Sequence, residues 1–229
     1  MRIAGYGYQK GFGGHFHNDN AVGALRDIPG IVIASPARDD AAAMMHTCAA
    51  AARIAGALCV YLEPIALYHT RDLHDAGDGQ WLAPYPLADN QSEHHVPIGR
   101  ARTYGDGTEL TIVTYGNGLH MSLRAARRLE NANISTRVVD MRWLAPLPIP
   151  DIVREAYATG RVLVVDETRL SGGVAEGVIA ALIDEGFTGP LARVASKDSF
   201  IPLGDAALEV LLSEHTIEAA AIKLTRGQT

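Results

Sequence analysis

The sequence predicts an α/β fold with a parallel or mostly parallel sheet covered by helices on both faces. Three observations predict it. From Gly99 on, short apolar runs alternate with stretches that repeat at helical spacing. Several runs, Arg161-Val162-Leu163-Val164-Val165-Asp166 above all, are apolar at successive positions, as strands buried on both faces require. Glycine pairs, Gly116-Asn117-Gly118 and Gly172-Gly173, stand where a strand must turn into a helix.

Residues 1 to 69 read as α/β. Ile28-Pro29-Gly30 precedes Ile31-Val32-Ile33-Ala34, a short run suited to a buried parallel strand, and Ser35-Pro36 ends it. Asp39 and Asp40 put negative charge at the start of an alanine-rich helix from about Ala41 to Ile54, and Gly56 stops it. Leu58-Cys59-Val60-Tyr61-Leu62 is the next strand, closed by Glu63-Pro64. Residues 70 to 96 are polar and turn-rich, without periodicity, and read as an interdomain linker.

Beyond Gly99 the strands are Leu110 to Tyr115, Thr136 to Asp140, Arg161 to Asp166 and Ala192 to Ala195. Leu119, Leu123, Ala126 and Leu129 mark the first helix of this part. Pro150-Asp151 opens a second, a third runs from about Val174 to Glu185, and a helical tail from Ala206 to Leu224 is interrupted near Ser213.

Composition excludes several classes of function. The net charge of −6, with dispersed basic residues, repels phosphate and gives no nucleic-acid footprint. No apolar run reaches membrane-spanning length, and no secretory signal is apparent. Two cysteines, Cys48 and Cys59, are too few for a disulfide framework and point to reduced thiols in a cytoplasmic protein.

Chemistry concentrates in Gly11-Phe12-Gly13-Gly14-His15-Phe16-His17-Asn18-Asp19-Asn20. Glycines free the backbone for close approach to a ligand, and two imidazoles, two amides and a carboxylate follow. Three readings stand open. His15, His17 and Asp19 alternate as metal ligands could. One histidine could serve as an acid or base near neutral pH. The loop could also be merely solvated. Gly116-Asn117-Gly118 has the look of a phosphate-binding turn, but position 121 is Met121, so the full glycine spacing is missing. Glu63 closes a buried strand, and Asp166-Glu167-Thr168-Arg169 ends another, where ligands of open α/β sheets bind. The plainer account of the latter is a Glu167–Arg169 ion pair or a subunit contact. His46 reads as packed or surface, and His94 and His95 as solvated.

Taken in order, the motifs resemble the β subunit of 2-oxo acid dehydrogenase E1 components. Gly13 to Asn20, then Asp27-Ile28-Pro29-Gly30 through Asp39-Asp40-Ala41, resemble that family's histidine motif and the segment after it. Val60-Tyr61-Leu62-Glu63-Pro64 with Leu67-Tyr68 resembles its next element. Pro97 to Ala101, Thr111 to Gly116, Val139 to Leu147 and Val165-Asp166-Glu167 through Gly172-Gly173 resemble its C-terminal domain. The resemblance implies the second half of a transketolase pyrimidine-binding domain (1–85), a linker (86–95) and a transketolase C-terminal domain (96–229).

It also implies an oxidoreductase chemistry: thiamine diphosphate-dependent oxidative decarboxylation of a 2-oxo acid, branched-chain (2-oxoisovalerate) or related, with acyl transfer to lipoyl. Thiamine diphosphate and Mg2+ belong to the full enzyme. The activating glutamate and the diphosphate site are expected outside this chain, which alone is expected to bind neither and to be inactive. His17 matches the motif histidine, a catalytic group, with His15 as a second candidate. Implied partners are a second copy or an E1 α/β assembly, a lipoylated acyltransferase and the 2-oxo acid. No monovalent cation is expected before the Val60 strand, which Ile54-Ala55-Gly56-Ala57 precedes. The alternatives are another transketolase-like thiamine enzyme, disfavoured by the absence of arginine from the histidine loop, and a non-catalytic dimerisation module. Residues from Met1 to about Asn20 are expected to be poorly ordered or paired with another chain.

Overall fold

The chain opens with a strand that its own sequence does not advertise. In the computed structural model the described residues are 1–8, 15, 19, 21–84 and 95–227. Strand β1 (Arg2–Gly5) pairs in parallel with β3 (Cys59–Pro64), and β3 pairs in parallel with β2 (Val32–Ala34). The expectation of an unordered or partner-held start therefore fails for Arg2–Gly5. Strand β3, apolar and buried, supplies the ladder inside the same chain. Between β2 and β3 runs α2 (Ala41–Ala55), which alanine favours intrinsically, and Gly56 in the left-handed region ends it.

The second sheet has the order β4-β6-β5-β8-β9. Its strands are β4 (Arg102–Tyr104), β5 (Leu110–Thr114), β6 (Thr136–Asp140), β8 (Val162–Arg169) and β9 (Leu191–Ser196). All pair in parallel except β4, which runs antiparallel to β6. Helices α3 (Asn117–Asn131), α4 (Ile149–Thr159) and α5 (Val174–Asp184) form the crossovers. Helix α6 (Glu214–Thr225) packs on α3, and Arg124 and Arg128 of α3 reach Glu214 and Glu218 of α6. The predicted helical tail is a 3-10 turn (Gly204–Glu209) followed by α6, which the Ser213–Thr216 capping box starts.

The two sheets interlock. Strand β7 (Trp143–Ala145) leaves the second half of the chain and pairs antiparallel with β2, giving the first sheet the order β1-β3-β2-β7. One apolar cluster then joins Ile33, Val60 and Leu62 of the first sheet to Val113, Val139 and Val164 of the second. The antiparallel strands β4 and β7 have three residues each, too few for a readable period.

Part of the turn-rich stretch is held by its own aspartates. Asp78 accepts the backbone N–H of Leu73, His74, Asp75 and Gln80, and Asp72 accepts those of Gly77 and Gly79. These bonds hold the Asp78 carboxyl below its ordinary range. Trp81 is buried, with its ring 4.8 Å from that of His120 on α3. Residues 85–94 lie outside the described residues.

Candidate functional site

The second sheet has its topological switch between β5 and β8, because β5 leads to β6 on one side and the chain then returns to β8 on the other. Ligands of open α/β sheets bind in the crevice at that point, beyond the carboxyl ends of the strands. Here the protein fills the crevice itself. Strand β8 carries Asp166 and Glu167 near its carboxyl end, both fully buried, and each carboxylate enters the N-terminus of a different helix.

Glu167 accepts from the Asn117 backbone N–H at 2.9 Å and from Asn117 Nδ2 at 2.8 Å, at the start of α3. Asp166 accepts from the Ala175 N–H at 2.7 Å, at the start of α5, and from the Thr168 backbone and hydroxyl. The Tyr115 hydroxyl also donates to Asp166. An anion at a helix N-terminus satisfies unpaired N–H groups and meets the positive end of the dipole. These carboxylates do what a phosphate would have done at the two glycine turns, in keeping with the incomplete glycine spacing at Gly116-Asn117-Gly118. Burial raises the Glu167 carboxyl well above its ordinary value, and the Asn117 donors work against that rise. The expected Glu167–Arg169 ion pair is also absent, since Glu167 points into the core and Arg169 pairs elsewhere.

The glycines at these turns have steric reasons. A Cβ on Gly116 would lie 2.1 Å from Glu167 Oε1, and one on Gly173 would lie 2.2 Å from the Arg169 carbonyl. A Cβ on Gly177 would meet the Arg26 guanidinium at 2.4 Å, and one on Gly23 the Gly172 carbonyl at 2.4 Å. Gly23 and Arg26 belong to α1 (Val22–Arg26), which follows the histidine loop. Arg26 donates to the carbonyls of Leu144 and Gly173. The glycines thus let the segment after the histidine loop lie against α5.

The segment before that loop is held on the same side. Tyr6 is buried, with its ring 5.9 Å from that of Tyr115 and its hydroxyl 2.8 Å from Ser35 Oγ. Tyr8 packs against a buried cluster of Ile201, Ala207 and Leu211.

Of the candidate residues, His15 is described and His17 lies outside the described residues. The His15 N–H donates to the Ile201 carbonyl at 3.2 Å, and its ring lies 4.8 Å from that of Phe200, tilted 35°. Asp19 is gripped by Arg169, whose Nη2 donates to both carboxylate oxygens at 2.7 and 2.8 Å. The metal reading of His15, His17 and Asp19 gains no support from Asp19, whose two oxygens face a guanidinium. Among the described residues no group of three His, Cys, Asp or Glu side chains could hold a metal ion.

Glu63 belongs to β3 rather than following it, and it pairs with Arg2 and the Tyr68 hydroxyl. The Arg2 guanidinium holds its carboxyl below the ordinary value. Glu63 edges a cleft of about 570 Å³ at the carboxyl ends of β2 and β3, lined also by Arg38, Tyr68 and Trp81. His46 is exposed. His95 is exposed too, but its Nδ1 lies 3.3 Å from Thr47 Oγ1 on α2.

Sequence reasoning missed Tyr6, Arg169 and Phe200 as supports of the histidine loop. One signal was readable. An apolar strand ending in two successive carboxylates must find buried donors, and the two glycine-led helix starts are the nearest supply.

Comparison with known proteins gives relatives for this arrangement. Residues 99–222 match the family model described as transketolase, C-terminal domain. The pyruvate dehydrogenase E1 component subunit beta of Bacillus subtilis is 38% identical over 119 residues, 51% of this chain and 37% of that protein. The same subunit of Staphylococcus aureus is 29% identical over 194 residues, 83% of this chain and 54% of that protein. The chain thus spans about half the length, or less, of these curated relatives. A split-gene transketolase solved as an inactive β4 tetramer superposes over 100% of this chain and 67% of its own, with a TM-score of 0.69 and 26% identity. A transketolase mutant from Pichia stipitis, at 13% identity and a TM-score of 0.60, shares the fold.

Proposed function

Because the chain belongs to the transketolase C-terminal domain family, we propose that it is part of the β component of a 2-oxo acid dehydrogenase E1 enzyme and carries the imidazole face of a composite site. The match to pyruvate dehydrogenase E1 β subunits carries this reading, and it bears out the resemblance seen in the motifs. The geometry supports it as well. The segments flanking the histidine loop are packed onto the carboxyl-end side of the second sheet, where loops commonly carry chemistry.

Thiamine diphosphate would supply the carbanion and electron sink in such an enzyme. The described residues do not fit its diphosphate or Mg2+. The helix starts of α3 and α5 are filled by carboxylates, and among the described residues no group of three His, Cys, Asp or Glu side chains is placed to hold the metal. We propose that this part of the site lies outside this chain and that the chain alone is inactive. What this chain does is position groups. His17 would hydrogen-bond the substrate carboxylate or donate a proton to the lipoyl sulfur during acyl transfer, with His15 as a second candidate.

The same reading includes an E1 α/β or homodimeric assembly, a lipoylated acyltransferase as acceptor and a branched-chain or related 2-oxo acid as substrate. The two buried, unpaired cysteines fit a cytoplasmic location. A second reading, another transketolase-like thiamine enzyme, draws on the split-gene transketolase likeness. The test is a substrate panel on the full assembly with thiamine diphosphate. Turnover of a 2-oxo acid is expected, whereas turnover of phosphorylated sugars alone selects the second reading.

A further inference from the structure

We infer that Arg169 is a positioning residue that docks the histidine loop onto the second sheet, an inference that rests on the loop's proposed role in the site. Arg169 is the last residue of β8, where the pairing with β9 shifts register between Asp166 and Arg169. That shift follows the two carboxylates that turn inward, and Arg169 makes its contacts on the loop side.

Two guanidinium nitrogens and the guanidinium plane are used. Nη2 holds both oxygens of Asp19, at 2.7 and 2.8 Å. Nε donates to the Ser199 carbonyl at 3.1 Å, and Cζ lies 5.6 Å from the centre of the Phe200 ring. Phe200 in turn faces the His15 ring, and the carbonyl of Ile201 accepts the His15 N–H. One arginine therefore joins three things: the loop at Asp19, the aromatic platform under His15, and the turn that bears the platform. A lysine presents a point charge without the planar fork, so it can hold Asp19 but not the Ser199 carbonyl and the ring together.

The two contacts at residues 15 and 19 bracket position 17 in the sequence. Arg169 and Asp19 are each about one-fifth exposed, so solvent and salt screen the pair less than an open surface pair. A fixed anchor on each side of position 17 is what would aim an imidazole from the loop.

The test uses the complete catalytic assembly. Arg169→Ala should speed hydrogen exchange of the His15 amide by about tenfold. It should lower the rate of acyl transfer by about tenfold while leaving the KM for the 2-oxo acid and the melting temperature unchanged. Arg169→Lys should restore part of both. Asp19→Asn, which leaves the sheet untouched, should reproduce the loss should Arg169→Ala fail to fold. Wild-type exchange and wild-type transfer in Arg169→Ala, or in Asp19→Asn, would overturn the inference. An assembly that turns over no 2-oxo acid defeats the functional reading separately. The exchange comparison then still decides the docking: faster exchange supports it and unchanged exchange overturns it.

Discussion

At the scale of single residues, the molecule is organised around carboxylates that serve as its own ligands. Glu167 and Asp166 fill two helix starts that would otherwise bind anions. Glu167→Ala leaves the Asn117 N–H and side-chain amide without these acceptors in a dry interior. Such a loss costs about 1–3 kcal/mol, and chemical denaturation should show a midpoint lowered to match. An unchanged midpoint would mean that water replaces the carboxylate. Cys48 makes a second test. Burial, then the neighbouring Cys59, pushes its thiol up to about 12. An unfolded thiol ionises near about 8.5, so between there and about 12 the folded state keeps a proton that the unfolded state loses. Stability should therefore fall as pH rises through that window. Denaturation midpoints at about pH 8 and about pH 10 should differ more in the wild type than in Cys48→Ala. The sequence suggested buried thiols from composition, but their closeness comes from α2 packing on β3, which no local pattern reveals.

At the scale of elements, long periodic segments were legible and short ones were not. Helix α2 was expected from Ala41 to Ile54 and spans Ala41–Ala55, because an alanine run between an acidic start and a glycine stop leaves little choice. Strand β8 was visible as an apolar run, although it extends to Arg169 because pairing with β9 resumes there. Strands β1, β4 and β7 were not foreseen, since each owes its existence to a distant partner ladder rather than to its own three or four residues. Gly172-Gly173 was read as a strand-to-helix turn, and the structure adds that it permits close packing there. Gly173→Ala should destabilise by about 1–3 kcal/mol, because its Cβ would press on the Arg169 carbonyl and Asp166 Oδ2, neither of which can move freely. Thermal melting checks this, and a neutral outcome would show that the turn relaxes.

At the scale of the whole molecule, two interlocked sheets share one apolar core and hold a short N-terminal segment between them. Sequence order alone could suggest the fold class, and the motif resemblance could suggest the chemistry. Neither could show that β7 crosses into the first sheet, or that Tyr6 and α1 lie over the carboxyl ends of β5 and β8. Those placements depend on contacts between residues more than a hundred positions apart, such as Arg26 with Leu144. They matter because they leave one part of the chain, the histidine loop, bracketed by packed segments on both sides.

His17→Ala in the complete assembly tests the proposed role of that loop most directly, with acyl transfer to lipoyl and thiamine diphosphate affinity measured side by side. The account predicts that transfer falls by about 10²-fold or more, the size of a lost acid–base group, while cofactor affinity stays at the wild-type value. Transfer at the wild-type rate, or a loss explained entirely by weaker cofactor binding, would contradict it.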